Sequence, residues 1–348
     1  MAEERKEEEL AQDLAEALRK SEKVVLTCHT NADGDALGST LGLRKVLINM
    51  GKKATVVTPD LAPTIYSWMP GFKTLMTYER QTEDCDKIID EADLIIMMDF
   101  NCLKRIKSLG DKLESVEGKG RILIDHHTDP EVEADVFISY PAAAATCEIT
   151  YRMLMLGGLD EYIDIEAASN FYSGVVTDTG GLSYNSSSPE LYILVAKMLS
   201  KGIDKVYIHD KIFNNKSIRR LKLNGYAIEK KLHRVDKLPI AFMSLSREEL
   251  ESYNYQTGDT EGLVNIPLQA KDLIMSCLIL ERNDMNKMSF RSKGDFPVNE
   301  FSAKYFGGGG HHNAAGGTYI GTISQAVKEF KKDIIEFYEE WSSRASKK

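Results

Sequence analysis

Four short apolar runs constrain the fold of this chain more than any other feature of its sequence. Each has the length of a β-strand and is continuously apolar, without the regular alternation with polar residues that marks a half-exposed strand. Such strands, alternating with helices like the one predicted from Ala36 to about Met50, are typical of a parallel sheet with helices on both faces. The sequence therefore predicts an α/β domain. The four runs are Lys23–His29, Lys53–Thr58, Asp93–Asp99 and Arg121–Asp125.

Polar side chains stand at the end of three of these runs. His29 ends the first run, Asp99 ends the third, and the triplet Asp125-His126-His127 begins where the fourth ends. In open α/β sheets the ligand site lies beyond the carboxyl ends of the strands. Three distant segments are therefore predicted to direct their side chains to one edge of the sheet.

Three more aspartates extend this set. Asp33 and Asp35 flank a glycine in the loop after the first run, and Asp178 ends a further apolar run. Because aspartate and glycine are common in turns, Asp33 and Asp35 alone indicate a tight turn as readily as a ligand site. Asp99 is also open to two interpretations, as a ligand or as the cap of a following helix. The triplet is different, because ionisable residues that end a buried strand are costly unless each has a partner.

The combined set predicts a metal centre. Imidazole and carboxylate groups without thiolates favour Mn²⁺, with Mg²⁺ as an alternative. Six side chains are too many for one catalytic ion with an open position, but they suit two ions that share a ligand. Unpaired carboxylates about 4 Å apart would repel each other by roughly 4 kcal/mol at an effective dielectric of about 20. The predicted ligands are His29, Asp33, Asp35, Asp99, His126 and Asp178.

A centre of this kind predicts hydrolysis of a phosphate ester. Two ions about 3.5–4 Å apart lower the pKa of a shared water from about 16 to about 7, which provides a nucleophile for in-line attack on phosphorus. His127 is adjacent to a predicted ligand but is not itself committed to a metal. We therefore predict that His127 is the general acid that protonates the leaving oxygen.

A second, smaller α/β domain is predicted to begin near Val235. It contains strand-like runs, a short helix that ends at four glycines, and a closing helix whose capping box is formed by Thr322 and Gln325. Glycines let the backbone approach an anion, and Arg291 can hold phosphate oxygens bidentately. We therefore predict phosphate recognition here rather than a flexible loop. The predicted substrate-binding residues are Arg291, Gly308, Gly309, Gly310 and His311.

The chain is predicted to have three parts. We expect a catalytic domain at residues 1–190, a helical linker at residues 191–234 and a substrate-binding domain at residues 235–348. The linker carries a basic cluster, which we interpret as the solvated face of a helix. This cluster consists of Lys216, Arg219, Arg220 and Lys222.

The charge and the cysteines exclude several classes of protein. The 53 acidic and 44 basic residues give a net charge of −9, which is unsuited to binding duplex DNA. Five scattered cysteines support neither a disulfide framework nor a cysteine zinc site. The apolar runs are too short to cross a bilayer. We expect a soluble cytoplasmic protein that binds neither membranes nor duplex DNA.

Together these motifs resemble those of the DHH phosphoesterase family, and the resemblance covers almost the whole chain. The glycine-histidine tract of the second domain resembles the substrate-binding domain called DHHA1. The family motifs stand here in the family's order as His29-x-x-x-Asp33-Gly-Asp35, Asp99, Asp125-His126-His127 and Asp178.

The resemblance also implies roles for individual residues. Asp99 would bridge two ions, usually Mn²⁺, and Asp125 would orient a histidine. Arg291 and His311 would grip a phosphate or nucleotide in a cleft between the domains, and a homodimer is implied. The motif does not require His312, whose role stays open. The implied ligands are His29, Asp33 and Asp99 for one ion, and Asp35, Asp99, His126 and Asp178 for the other.

The arrangement is similar to that of stand-alone bacterial nanoRNases that also dephosphorylate 3′-phosphoadenosine 5′-phosphate. It implies an enzyme that degrades short single-stranded RNA to mononucleotides and removes the 3′-phosphate of a nucleotide bisphosphate. A phosphodiesterase of cyclic-di-AMP or linear di-AMP is the nearest alternative. A nucleotide sensor without turnover is an alternative from another class.

Overall fold

The computed structural model describes residues 6–256, 258–283 and 285–345 of the chain. The chain divides into two compact units, one that ends at Asn215 and one that begins at Lys216. Each unit has its own six-stranded sheet. None of the described helices combines the length and the apolar composition that a membrane span requires.

The first unit is built on a parallel sheet, as the apolar runs predict. Its strands are β1 (Lys23–Thr27), β2 (Lys53–Thr58), β3 (Met76–Thr77), β4 (Leu94–Met98), β5 (Gly120–Asp125) and β6 (Val136–Ser139). Their order across the sheet is β3-β2-β1-β4-β5-β6, and all neighbours are parallel. The sequence pattern does not predict the edge strands β3 and β6, because two and four residues are too few to form a periodic pattern.

Helices cover both faces of this sheet. In the central strand β4, Ile96 and Met98 pack into the core on one face, whereas Ile95 and Met97 pack into the core on the other. All four side chains are buried, which explains why this strand is apolar without alternation. The helices of this unit are α1 (Glu7–Lys20), α2 (Gly34–Asn49), α3 (Thr82–Glu91), α4 (Ser108–Ser115), α5 (Thr146–Leu156), α6 (Ile165–Asp178), α7 (Pro189–Ser200) and α8 (Lys205–Phe213).

Helices α2 and α6 approach closely at a glycine. A Cβ on Gly174 of α6 would lie 2.9 Å from Oδ1 of Asp35 and would overlap the sulfur of Cys147. Any larger residue at this position would therefore displace α2 or α5. The contact places the first turn of α2 against α6.

The second unit contains a mixed sheet with helices on both faces, which fits the predicted α/β domain. Its sheet order is β11-β12-β10-β9-β8-β7, in which β8 and β9 are parallel and the other neighbours antiparallel. Its elements are α9 (Ile218–Lys231), β7 (His233–Arg234), β8 (Ile240–Leu245), α10 (Arg247–Ser252), β9 (Met275–Glu281), β10 (Asn286–Ser292), α11 (Val298–Phe306), β11 (Gly309–His311), β12 (Ala314–Tyr319) and α12 (Ile323–Ala345).

The predicted capping box at the start of α12 is present. The backbone N–H of Thr322 donates to Oε1 of Gln325 at 2.9 Å, and the backbone N–H of Gln325 donates to Oγ1 of Thr322 at 3.3 Å. Two N–H groups at the helix end are thereby satisfied by side chains.

The helices of the predicted linker are divided between the two units. Helices α7 and α8 lie in the first unit, and α9 lies in the second. The interpretation of the basic cluster on α9 as a solvated face is wrong for Arg220, which is only 7% exposed and donates to the carbonyl of Glu261. Arg219 pairs with Asp259 at 3.0 Å. The sequence pattern could not reveal these contacts, because both partners lie about 40 residues away along the chain.

Candidate metal centre

Three neighbouring strands bring predicted ligands to one edge of the first sheet. Strands β1, β4 and β5 are adjacent and parallel, so their carboxyl ends meet. His29 follows β1 after one intervening residue, Asp99 follows β4 directly, and Asp125 ends β5. The side chains at these strand ends therefore lie close together, as the sequence predicts.

His29, Asp33 and Asp99 form a first group of potential ligands. One ligand atom of each lies within 4.8 Å of the others. Nε2 of His29 is 3.4 Å from Oδ2 of Asp99 and 3.8 Å from Oδ2 of Asp33. His29 and Asp99 are buried while Asp33 is exposed, so solvent reaches this group beside Asp33.

Asp35, His126 and Asp178 form a second group with the same spacing. Nε2 of His126 is 3.4 Å from Oδ2 of Asp178 and 4.0 Å from Oδ2 of Asp35. The apolar run before Asp178 is helical, and Asp178 is the last residue of α6. A carboxylate at the negative end of a helix dipole is unfavourable unless positive charge accompanies it.

Asp99 lies between the two groups and contacts both. Its Oδ2 is 3.4 Å from Nε2 of His29, and its Oδ1 is 3.5 Å from Nε2 of His126. The backbone φ of Asp99 is 63°, in the left-handed region that residues other than glycine rarely adopt. Such strain persists at functional sites where the surrounding structure maintains it.

Both histidines of these groups are oriented by backbone carbonyls. Nδ1 of His29 donates to the carbonyl of Thr30 at 2.7 Å, and Nδ1 of His126 donates to the carbonyl of Ala143 at 3.4 Å. With Nδ1 as the donor, Nε2 of the neutral ring carries the lone pair, and Nε2 is the atom that faces the carboxylates. Metal-binding histidines commonly have this arrangement.

The two aspartates around Gly34 each cap a helix. Oδ1 of Asp33 accepts the backbone N–H groups of Asp35 and Ala36, both at 3.0 Å, and so caps α2. The carboxylate of Asp35 accepts the N–H groups of Thr146 at 2.6 Å and Cys147 at 2.9 Å, and so caps α5. Both N–H groups at Asp33 go to Oδ1, which leaves its Oδ2 for a cation, and each oxygen of Asp35 accepts one N–H and keeps a second lone pair.

The shifted pKa values in the cluster show that its carboxylates and imidazoles favour a bound proton or another positive charge. Burial, together with the nearby carboxylate of Asp99, raises the pKa of Asp35 to about 7. Burial disfavours the charge of Asp99, but the histidines around it hold its pKa well below the usual range. Burial also opposes protonation of His29 and His126, yet the surrounding carboxylates raise the pKa of each to about 9. Oxygen and imidazole donors that attract protons so strongly fit a divalent cation in the borderline class of Mn²⁺.

Asp125 contacts His127. Nδ1 of His127 is 2.7 Å from Oδ1 of Asp125, which is fully buried. Oδ2 of Asp125 has no hydrogen-bond partner among the described residues. The carboxylate therefore acts on His127 through one oxygen and fixes the imidazole orientation, with Nε2 on the opposite side of the ring.

The predicted substrate-binding residues lie together at one side of the second sheet. Arg291 on β10 and His311 on β11 both pair with Ala314 of β12, from opposite sides of that strand. Arg291 is half-buried, its Nη1 donates to the carbonyl of Phe290 at 2.9 Å, and its burial lowers the pKa of the guanidinium. Exposed His311 and half-buried Arg291 thus flank one strand.

Two glycines of the tract have a structural role in this sheet. A Cβ on Gly308 would overlap the carbonyl of Gly316, and a Cβ on Gly310 would lie 2.8 Å from the Cα of Ala315. Gly310 also has a φ of 140°. Close pairing of β11 with β12 therefore requires glycine, independently of any phosphate.

The exposed His312 takes part in the structure through its backbone. Its carbonyl accepts the N–H of Val298 at 2.9 Å, at the start of α11. The segment after the glycine tract is thereby joined to the helix that precedes the tract.

Sequence reasoning missed Asp60, whose carboxylate fixes the loop after β1 that carries His29 and Asp33. Asp60 accepts the backbone N–H of Asn31 at 2.9 Å and lies 3.5 Å from Nζ of Lys107. It follows β2 by two residues, at the same sheet edge as the other acidic groups. The rule that polar residues beyond strand ends build the site would have found Asp60 if it had been applied to the second run.

Sequence reasoning also missed Thr146, the first residue of α5. Its backbone N–H donates to Asp35, and its hydroxyl donates to Oδ1 of Asp99 at 2.9 Å. A threonine at a helix start carries no signal that it will meet two aspartates more than 40 residues away.

Comparison with known proteins agrees with this architecture. The model of the DHH family, N-terminal domain, matches residues 23–175, and that of the DHHA1 domain matches residues 240–340. The crystal structure of an exopolyphosphatase-related protein from Bacteroides fragilis is 39% identical, covers 94% of this chain and 96% of its own, and superposes with a TM-score of 0.92.

More distant proteins share the same organisation. The bifunctional oligoribonuclease and PAP phosphatase NrnA of Thermus thermophilus is 26% identical over 327 residues, which are 93% of each chain. RecJ of the same species, in complex with Mn²⁺, is 15% identical, covers 97% of this chain and 55% of its own, and has a TM-score of 0.55, a likeness of fold alone. With both family domains matched in order along the chain, and with a relative 39% identical over 94% of it, the chain belongs to the DHH family of metal-dependent phosphoesterases.

Proposed function

We propose that the protein hydrolyses phosphate esters with two divalent cations bound at the carboxyl edge of the first sheet. The position of Asp99 carries this proposal, because its two oxygens face the histidines of two separate ligand groups. One cation would be held by His29, Asp33 and Asp99. The other would be held by Asp35, Asp99, His126 and Asp178.

The cations and the residues around them would have different roles in hydrolysis. Two bound divalent ions, Mn²⁺ by preference and Mg²⁺ as an alternative, supply the charge that activates water and neutralises phosphate oxygens. His127 would protonate the leaving oxygen from Nε2, because its Nδ1–H is directed to Asp125. Asp125 would hold the ring in the orientation that this step requires.

We propose short single-stranded RNA and nucleotide bisphosphates, such as 3′-phosphoadenosine 5′-phosphate, as substrates. The name of the Thermus thermophilus relative NrnA supports this choice. Arg291, Gly308, Gly309, Gly310 and His311 would contact the substrate, because they combine a cation, an exposed imidazole and glycines, two of them exposed, that let a ligand approach the backbone. A net charge of −9 suits a substrate with few phosphates better than a long polyanion.

A Mn²⁺-supplemented substrate panel tests this proposal. The panel compares initial rates on 3′-phosphoadenosine 5′-phosphate, RNA of two to twenty-four nucleotides, linear di-AMP, cyclic-di-AMP and inorganic polyphosphate. We expect the highest kcat/KM on RNA of about two to five nucleotides and on the bisphosphate. A preference for di-AMP species would favour the alternative phosphodiesterase, and a preference for polyphosphate would follow the name of the Bacteroides fragilis relative.

A nucleotide sensor is the outcome to exclude. Tight nucleotide binding without turnover of any panel member, with Mn²⁺ present, would contradict the hydrolase proposal. The same measurement on a variant with Asp99 replaced by alanine provides the inactive reference.

We also propose that the protein acts in the cytoplasm as a homodimer. Five cysteines without a disulfide among the described residues fit a reducing compartment. Helices α7 and α8 expose apolar side chains, with Ile193 58% exposed and Val206 79% exposed. Light scattering of the wild type and of a Val206→Glu variant tests the dimer and this surface together; a wild-type monomer would contradict it.

A further inference from the structure

We propose that Thr146 is a positioning residue that holds the carboxylates of Asp35 and Asp99 in one relative arrangement and thereby couples the two ligand groups. This inference rests on the proposed two-cation function. Thr146 is fully buried and donates to both carboxylates, through its backbone N–H at 2.6 Å and through its hydroxyl at 2.9 Å.

The start of α5 explains why Thr146 can have this role. The N-cap residue is Ala145, whose side chain has no acceptor for the first N–H groups of the helix. The carboxylate of Asp35 replaces the missing cap by accepting the N–H groups of Thr146 and Cys147. The position of Asp35 is therefore tied to the position of the helix end.

The hydroxyl of Thr146 extends this connection to the other group. Its acceptor is Oδ1 of Asp99, the oxygen that faces His126, whereas Oδ2 faces His29. A hydroxyl that occupies one lone pair of Oδ1 fixes the rotation of the carboxylate. Each oxygen of Asp99 is thereby kept directed at a different histidine.

The preceding loop keeps the helix end in place. Buried Glu148 accepts the backbone N–H of Ala144 at 2.7 Å and lies 3.1 Å from Nη1 of Arg152. The carbonyl of Ala143, in the same loop, accepts from Nδ1 of His126. The backbone that leads into Thr146 is therefore fixed by contacts with His126 and Glu148. Because this backbone is fixed, the hydroxyl of Thr146 has a defined direction.

Replacing the hydroxyl with a methyl group tests the proposal. Thr146→Val keeps the volume of the side chain and the backbone N–H but removes the donor to Asp99. We expect the affinity for the second equivalent of Mn²⁺ to fall about ten- to hundredfold, as for other residues that support metal ligands. The electron paramagnetic resonance signal of the coupled Mn²⁺ pair should change, and kcat should fall while KM stays unchanged. Thr146→Ser keeps the hydroxyl and should restore all three measurements.

A matched control lies one turn further along the same helix. Thr150 is also fully buried, and its hydroxyl donates to the carbonyl of Thr146 instead of to a carboxylate. Thr150→Val removes a buried hydroxyl from α5 without touching Asp35 or Asp99. It should therefore bind Mn²⁺ and give the paramagnetic signal as the wild type does.

Two results would overturn the proposal. One is a Thr146→Val protein with wild-type Mn²⁺ affinity and an unchanged paramagnetic signal. The other is loss of folded structure in both Thr146→Val and Thr146→Ala, which would assign Thr146 a structural role only. Failure of the proposed function is distinguishable, because the wild type itself would then bind no Mn²⁺ pair or hydrolyse no phosphate ester.

Discussion

Nδ1 of His127 lies 2.7 Å from Oδ1 of the buried Asp125, and this pair resembles the carboxylate–imidazole unit of a general acid. The carboxylate orients the ring. Oδ2 of Asp125 makes no hydrogen bond to the described residues, so the support depends on a single oxygen.

Asp125→Asn should therefore lower kcat about ten- to hundredfold, because a neutral amide oxygen accepts the hydrogen bond from Nδ1 of His127 more weakly than a carboxylate and holds the ring less firmly. KM and the Mn²⁺ stoichiometry should not change, since Asp125 belongs to neither ligand group. Steady-state kinetics and isothermal titration calorimetry provide the measurements. Asp129→Asn is the matched control, because Asp129 is exposed and its φ of 54° is tolerated by asparagine. An unchanged kcat in Asp125→Asn would remove the pair from the mechanism.

Asp99→Ala should abolish turnover and reduce the binding of both cations. Its two oxygens face two different histidines, so one substitution removes a ligand from each group. Calorimetric titration with Mn²⁺ should show fewer than two bound ions per chain. Asp84→Ala, in an exposed position of α3, should bind and hydrolyse as the wild type does. Retained Mn²⁺-dependent activity in Asp99→Ala would contradict the bridging role.

Added Mn²⁺ should raise the melting temperature of the wild type, because it relieves repulsion among four neighbouring carboxylates. At a free concentration of about 100 times Kd, each site contributes about 2.7 kcal/mol of stability. Differential scanning calorimetry with Mn²⁺ and then with excess chelator measures this shift and its reversal. Asp99→Ala should lose most of the shift. A wild-type melting temperature that does not respond to Mn²⁺ is incompatible with the proposed centre.

Arg291→Ala should raise KM for 3′-phosphoadenosine 5′-phosphate about ten- to hundredfold, which corresponds to a charged hydrogen bond of about 1.5–3 kcal/mol. Arg291→Lys keeps the charge but loses the bidentate geometry, so it should give an intermediate KM. Lys328→Ala removes an exposed cation from α12 of the same unit and should leave the kinetics unchanged. Equal KM values for all four proteins would show that Arg291 does not contact substrate.

Gly174→Ala should destabilise the protein by about 1–3 kcal/mol, because the added methyl overlaps Cys147 and approaches Asp35. It should also weaken Mn²⁺ binding by displacing the Asp35 carboxylate. For Gly225→Ala in α9 we predict the opposite effect on stability, since a Cβ there meets none of the described atoms within 4 Å. That substitution should stabilise the protein by about 0.5–1 kcal/mol. Unfolding in urea distinguishes the two signs.

The arrangement of the candidate site at one sheet edge could be predicted because strand ends impose it. Once the runs ending at His29, Asp99 and Asp125 are assigned to parallel neighbours, their side chains must meet. The prediction was less informative about Asp178, because a short apolar run does not distinguish a buried helix from a strand. Asp178 ends a helix, where its negative charge opposes the dipole.

The remaining features depend on contacts between residues that are far apart in the chain. Thr146 meets carboxylates 47 and 111 residues away, and the buried Arg220 meets a carbonyl 41 residues away. Local composition does not encode such pairs, since a basic helix start looks the same whether its arginines are buried or solvated. The two-residue strand β3 has the same difficulty, because it forms only through its pairing with β2.

Asp33 and Asp35 each have two roles, as a proposed metal ligand and as the acceptor that caps a helix. These two roles limit the substitutions by which a descendant of this protein could lose its activity and still fold. Each carboxylate accepts N–H groups that would otherwise be unsatisfied at the start of a helix. A lineage that no longer needed the cations would still need an acceptor at both places. At positions 33 and 35, evolutionary drift should therefore lead to asparagine or serine rather than to an apolar residue. Such substitutions would identify relatives that have lost the activity but keep the fold.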